Sequence, residues 1–247
     1  MNDLSEKSTL VVGGSRGLGR GIATALAEAG AAVVSVARTP AAVDAAGGVG
    51  AVEAVTADAS DPSVAGSLLD RYEPEAVILV AGANPLIRPL QHHTWETFSA
   101  NWHTDVKIAF HWLREALLKP LHSGSRVVVI SSGAAVAGSP LTGGYAGAKA
   151  TQRFITGYAQ EEANRAGLGI TFTAVLPRIT PLTDLGRPAV RAYAARSGQS
   201  EQAYIQQFGE PLSPERAGAA MVELVGADAT TIAPAYLLSS AGLQKLA

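Results

Sequence analysis

The chain has 247 residues, 47% of them apolar and 16% charged, which suits a well-covered core and argues against disorder. A formal net charge of −2, with no run of Lys and Arg, leaves no electrostatic case for a nucleic-acid partner. There is no cysteine, which excludes disulfides, thiolate metal sites and cysteine nucleophiles.

The first residues, Met1 to Lys7, are polar, and the longest apolar runs are about six residues against the roughly 20 that a membrane span needs. A cytoplasmic protein without a membrane segment is the expectation. Short β-rich runs then recur along the chain at Thr9–Val12, Ala32–Val36, Ala51–Thr56, Ala76–Val80, Arg126–Ile130, Ile170–Leu176 and Ala235–Leu238. They are continuously apolar rather than alternating, which predicts strands covered on both faces. Between them lie segments with helical spacing, such as Leu18, Ile22, Ala25, Leu26 and Ala29, closed by Gly30. This alternation predicts an α/β fold, a parallel sheet with right-handed crossovers and helices on both faces. No linker interrupts it, so one domain is expected over 1–247.

The rhythm changes between Arg178 and Pro211, a stretch rich in Pro and Gly with two helical pieces around Ala189–Ala195 and Glu201–Phe208. Insertions of this length are usually functional, and this one follows the C-terminal end of a strand, where open α/β sheets bind ligands. A substrate lid over 178–211 is expected; a packing insertion or subunit contact is the alternative.

The first strand runs into Gly13-Gly14-Ser15-Arg16-Gly17-Leu18-Gly19, which opens a helix. Gly13 permits a sharp turn, Gly17 lets backbone approach a pyrophosphate, and Gly19 lets the helix pack on the sheet. The helix N-terminus then offers amides and a positive dipole end to phosphate. A glycine turn alone is often a mere connection; its place between strand and helix, over residues 8–38, points to a dinucleotide. The second strand ends at Arg38, without the acidic residue that would bond a ribose 2′-hydroxyl. Arg38 and Arg16 suit a 2′-phosphate instead, so NADP(H) is expected over NAD(H).

Tyr145 and Lys149, at i and i+4, share a helix face, and Ser132 follows the strand Arg126–Ile130. A phenol, with an ordinary pKa of about 10, becomes a better acid–base catalyst beside an ammonium, which favours phenolate. The serine hydroxyl can hydrogen-bond the same substrate oxygen. A Tyr-x-x-x-Lys pair by itself is more often two exposed helix residues; the serine and the glycine turn give it chemical meaning.

With these motifs the chain resembles the short-chain dehydrogenase/reductase family over nearly all its length. The glycine turn is similar to that family's TGxxxGxG, Asp58 to its adenine-contacting aspartate, and Val80-Ala81-Gly82 to its NAG. Ser132, Tyr145 and Lys149 match its catalytic residues, the lysine also binding the nicotinamide ribose. The resemblance implies a Rossmann-type, doubly wound sheet of about seven strands in the order 3-2-1-4-5-6-7. It also implies a homodimer or homotetramer built on the helices containing Asp105 and Tyr145, and a small carbonyl or alcohol substrate. Cofactor contacts are implied for Gly13, Ser15, Arg16, Gly17, Leu18, Gly19, Arg38, Asp58, Ala81, Gly82, Tyr145, Lys149, Pro177 and Arg178.

The sequence departs from that pattern at several places. Val12 and Val80 replace two polar residues, for which an apolar contact is expected. Asp105 falls where the family's proton-relay asparagine stands, Asn101 being the alternative alignment; Asp105 is expected to be tolerated, beside the catalytic lysine. Arg178 replaces the glycine of Pro-Gly, and the ending Tyr236–Ala247 lacks the family's Asp-Gly-Gly tail. His92 and His93 are expected on a solvated loop near the pocket, with a substrate contact as the alternative and no metal. Trp95, Trp102 and Trp112 are expected in core or interface. The chemistry expected is interconversion of a carbonyl and an alcohol. The rivals are an imine reductase, epimerase or dehydratase on the same scaffold, and a non-catalytic nucleotide sensor.

Overall fold

The order β-α-β with continuously apolar strands predicts cover on two faces, and the computed structural model, which describes residues 4, 5, 7–39 and 52–246, supplies it except at the third strand, an edge strand with no buried residue. The strands are β1 (Ser8–Val12), β2 (Ala32–Ala37), β3 (Val52–Thr56), β4 (Ala76–Leu79), β5 (Arg126–Ile130), β6 (Thr171–Pro177), β7 (Ala235–Ser239) and β8 (Gly242–Leu246). They form one sheet in the order β3-β2-β1-β4-β5-β6-β7-β8. All neighbours are parallel except β7 and β8, which pair antiparallel. The expected order is therefore found, with an eighth strand added at the β7 edge. That strand is a short return across a tight turn; Leu243 and Leu246 pack against different core clusters while Gln244 and Lys245 between them are exposed, as fits an edge position. Residue 51, expected to begin the third strand, lies outside the described residues.

The helices are α1 (Gly17–Glu28), α2 (Pro62–Tyr72), α3 (Trp95–Asn101), α4 (Lys107–Leu118), α5 (Ala134–Ala137), α6 (Tyr145–Arg165), α7 (Gly186–Arg196), α8 (Glu201–Gln206) and α9 (Pro214–Gly226). Their starts are written locally. Asp61 and Ser213 cap α2 and α9 by accepting hydrogen bonds from the amides of Ser63 and Arg216, each with proline at the first helical position. One core cluster joins Ile22, Leu26, Met221 and Leu224 to Val11, Ile78 and Val128. The other joins Leu69, Trp112, Leu113 and Ala159 to Leu10, Leu79, Val127 and Phe172. Alternate residues of a strand thus serve opposite layers.

On the first face, α1 and α9 touch backbone to backbone. A methyl added at Gly218 would sit 2.5 Å from the Ala25 Cβ and from the Gly21 carbonyl oxygen. Arg126 on β5 locks the end of α9 by donating to the carbonyls of Leu224, Val225 and Ala227. Among the described residues no helix is long and apolar enough to cross a membrane.

The C-terminal ends of the parallel strands point the same way, so their following loops converge on one edge of the sheet. Between α3 and α4 the helix widens into a π-helical turn, Trp102–Val106, which carries Asp105 inward.

Candidate active site

Along that edge lies a cavity of about 1380 Å³, room for a dinucleotide with a second small molecule. Gly13, Ser15, Arg16, Gly17, Leu18 and Gly19 line one end. Here the chain turns hard: Gly13 has φ +95°, and a Cβ on it would stand 2.6 Å from the Ala81 amide nitrogen. A Cβ at Gly19 would lie 2.1 Å from the Gly13 carbonyl oxygen, so only glycine lets α1 begin this close to β1. Arg16 caps α1 without a side-chain hydrogen bond, and the first turn holds no acidic residue. The orphan amides of that turn and their dipole thus face the cavity without a competing carboxylate, a cradle that fits a phosphate group.

Farther along the rim stand Arg38 and Asp58, both exposed. The amide and hydroxyl of Ser60 donate to Asp58 Oδ1 at 2.9 and 2.8 Å, and these bonds hold its carboxyl below the ordinary range. Ala81 and Gly82, after β4, form the middle of the wall, and Pro177 and Arg178, after β6, the far side.

The inner end holds Ser132, Tyr145, Lys149 and Asp105. Tyr145 and Lys149 occupy the first two turns of α6 with the ammonium 5.6 Å from the phenol ring centre. Lys149 is buried and ion-paired with Asp105, Nζ to Oδ2 at 3.2 Å. Burial alone would push this ammonium down. The charge of Asp105, aided by the neighbouring Tyr145 phenol, outweighs that and raises it above its ordinary range. Asp105 Oδ1 accepts from the Ala83 amide at 2.8 Å and from Asn101 Nδ2 at 3.3 Å, while Asn101 also donates to the Ala83 carbonyl at 2.8 Å. Asp105, four residues on from Asn101, is therefore the residue that meets the lysine, and Asn101 buttresses it. A side chain at Gly82 would strike Asp105, its Cβ 2.8 Å from Oδ2.

The segment after β6 walls the far end with Thr183, Ala189, Tyr193, Tyr204 and Phe208. Tyr193 and Tyr204 stack at 6.3 Å, and Phe208 meets Tyr204 edge-on at 5.1 Å. The Tyr193 hydroxyl bonds Ser139 Oγ at 2.6 Å and accepts from the Leu141 amide at 3.2 Å, tying α7 to the loop before α6.

All the residues expected at the site thus line one cavity. One expectation needs correction. Val12 and Val80 do not pack together: Val12 belongs to one core layer and Val80 packs against the other, because successive side chains point to opposite faces. Their link is main-chain, the amides of Val80 and Ala81 both donating to the Val12 carbonyl at 2.8 Å. His93 braces the start of α3 through Thr97 Oγ1 and the Arg88 carbonyl, each at 3.2 Å, and neither histidine lines the cavity. Trp112 is in the core, whereas Trp95 and Trp102 are exposed. Among the described residues no cluster of His, Asp and Glu has the makings of a metal site. Sequence reasoning missed Gln152, whose amide contacts both Lys149 and Asp105; a lone polar residue in a helix gives no periodic signal.

A parallel sheet with a glycine turn after its first strand and a polar set beyond its fifth defines a dinucleotide-binding α/β protein. The profile of the family described as "short chain dehydrogenase" matches residues 7–194, and the chain belongs to that family of oxidoreductases. A protein from Mediterraneibacter gnavus named 3beta-hydroxysteroid dehydrogenase is 30% identical over 203 residues, 74% of this chain and 70% of that one. A probable oxidoreductase of Streptomyces antibioticus is 35% identical over 147 residues, 53% of this chain and 47% of that protein, so the match spans about half its length. A short chain dehydrogenase from Burkholderia cenocepacia, solved in complex with NADP, superposes with TM-score 0.75 at 26% identity, over 95% of this chain and 96% of that one. Levodione reductase shares the fold, with TM-score 0.81 at 21% identity over 96% of this chain and 97% of that one.

Proposed function

We propose that this protein is an NADP(H)-dependent oxidoreductase of the cytoplasm that interconverts a ketone or aldehyde with its alcohol. The observation that carries the reading is the convergence of Ser132, Tyr145 and Lys149 with an uncapped glycine turn on a single cavity. Bound there, the reduced nicotinamide would supply a hydride to the carbonyl carbon. Gly13 to Gly19 would hold the pyrophosphate, Asp58 the adenine end, and Arg16 and Arg38 the 2′-phosphate. Ser132 Oγ donates a hydrogen bond to the substrate oxygen, and Tyr145 Oη gives that oxygen its proton during reduction. Lys149, kept charged by Asp105, would favour the phenolate that Tyr145 becomes and would bond the nicotinamide ribose.

Residues 178–211 act as a lid whose aromatic wall of Tyr193, Tyr204 and Phe208 suits an uncharged, partly hydrophobic substrate. The likeness to a named 3beta-hydroxysteroid dehydrogenase supports a bulky apolar alcohol, and the likeness to a structure holding NADP supports the cofactor. A second copy of the chain is the expected partner, seated on the exposed Phe110 and Leu118 of α4 and Phe154 and Tyr158 of α6.

The test is a fluorescence titration with NADPH and NADH, followed by an NADPH-consumption screen of apolar ketones with wild type and Tyr145→Phe. NADPH binding to both forms, with turnover only by wild type, is expected. Failure to bind either dinucleotide would overturn the reading, and turnover without net cofactor consumption would move it to an epimerase or dehydratase.

A further inference from the structure

Three acceptors surround the buried Lys149 ammonium: Gln152 Oε1 at 3.0 Å, Asp105 Oδ2 at 3.2 Å and the Ile130 carbonyl at 3.3 Å. The ammonium donates hydrogen bonds to Gln152 and Ile130 and meets Asp105 Oδ2 as an ion pair, so its third proton is outside any protein hydrogen bond. Gln152 does more than accept. Its Nε2 donates to the Asp105 main-chain carbonyl at 2.8 Å, so one amide joins Lys149 to the π-helical turn. Asp105 is thus held at its main-chain oxygen by Gln152 and at Oδ1 by Ala83 and Asn101, leaving Oδ2 for the lysine.

Gln152 is 1% exposed, in a place where a hydrophobic side chain would normally fill a helix interior. A buried amide is costly unless both ends are bonded, and here both are. The titratable groups facing the ammonium are Asp105, from the wide turn, and Tyr145, from α6 itself. From β5 come only the Ile130 carbonyl and Ser131, whose hydroxyl donates to the Lys149 carbonyl at 2.7 Å. The carboxylate attracts the ammonium by its charge, and the neutral amide holds it at a further point.

We propose that Gln152 is a positioning residue of the reaction, its amide fixing the Lys149 ammonium at a set distance between Asp105 and Tyr145. The proposal rests on the reading of Tyr145 as the proton donor. Without the Gln152 bond the ammonium settles closer to Asp105, phenolate is less favoured, and alcohol oxidation needs a higher pH.

The experiment compares wild type, Gln152→Met and Gln152→Glu, as full chains, by the pH dependence of kcat and KM in both directions and by NMR of the 15N-lysine ammonium signals. Methionine preserves shape without the bonds; glutamate keeps an acceptor for Lys149 but loses the donor to Asp105. We expect kcat to fall about tenfold in Gln152→Met, with the acidic limb of the oxidation profile about one pH unit higher and KM little changed. The same limb should move in Gln152→Glu, and the Lys149 ammonium signal should be lost or displaced in both. A lower active fraction with an unmoved profile in both variants would reduce Gln152 to packing and overturn the proposal. Should wild type reduce no carbonyl, the functional reading falls on its own, and the ammonium spectrum still decides: a signal identical in wild type and Gln152→Met overturns the positioning role.

Discussion

Arg38 stands exposed at the cavity rim, at the end of the strand next to the glycine turn and on the same edge as Asp58. A guanidinium there gains most from a dianionic 2′-phosphate and little from a ribose hydroxyl. Arg38→Ala should therefore weaken NADPH binding about tenfold, about 1.4 kcal/mol, and leave NADH within about twofold, measured by the same fluorescence titration. Lys149 makes a second prediction. Its folded-state pKa is raised, so the stability it contributes is complete below the unfolded value of about 10.4 and is lost as pH rises through the higher folded value. Urea unfolding of wild type and Lys149→Met should differ by a constant amount at neutral and mildly alkaline pH, and the gap should close above that range. A gap that widens with alkali would contradict the sign. At this scale the sequence announced Ser132, Tyr145, Lys149 and the glycines, because each carries a spacing tied to its chemistry. Gln152 and Asn101 carry none; their meaning arises only when α3, α6 and the wide turn meet.

Elements were more legible where the chain is long and periodic. Seven strands lie within a residue or so of their apolar runs, since burial inside the sheet demands apolar sequence; β3, at the edge, is found although it is mostly exposed. β8 escaped because five residues of mixed polarity at an edge look like a tail until β7 supplies a partner. The π-helical turn escaped because one wide turn scarcely disturbs helical spacing. Where α1 crosses α9, small residues were visible in the sequence but their contact was not. Gly218→Val should cost about 2–3 kcal/mol in urea unfolding, because the added carbons meet Ala25 and the Gly21 main chain rather than a yielding side-chain end. A loss below about 0.5 kcal/mol would show that the two helices separate freely.

For the whole molecule, the aromatic side chains left outside the core matter most. Phe110 and Phe154 are 53% and 59% exposed on α4 and α6, helices that pack on each other, and a monomer would leave both in water. Sedimentation velocity should find wild type as a dimer or tetramer and Phe154→Arg in a smaller species, since a guanidinium in an apolar contact is buried without a partner. An unchanged species would place the subunit contact elsewhere.

The segment after β6 does not stop at the aromatic wall. A side chain grown from Gly17 would come within 3.6 Å of Thr183, so this segment reaches over the glycine turn as well as the inner end. Thr180 pins its base through the Leu212 carbonyl at 2.6 Å, and Tyr193 latches its middle. If, as proposed, a dinucleotide and a substrate share this roof, the larger one, lying underneath, should enter first and leave last. Steady-state kinetics should be ordered, with oxidised dinucleotide competing only against reduced dinucleotide; random-order patterns would mean that the roof opens at each end independently.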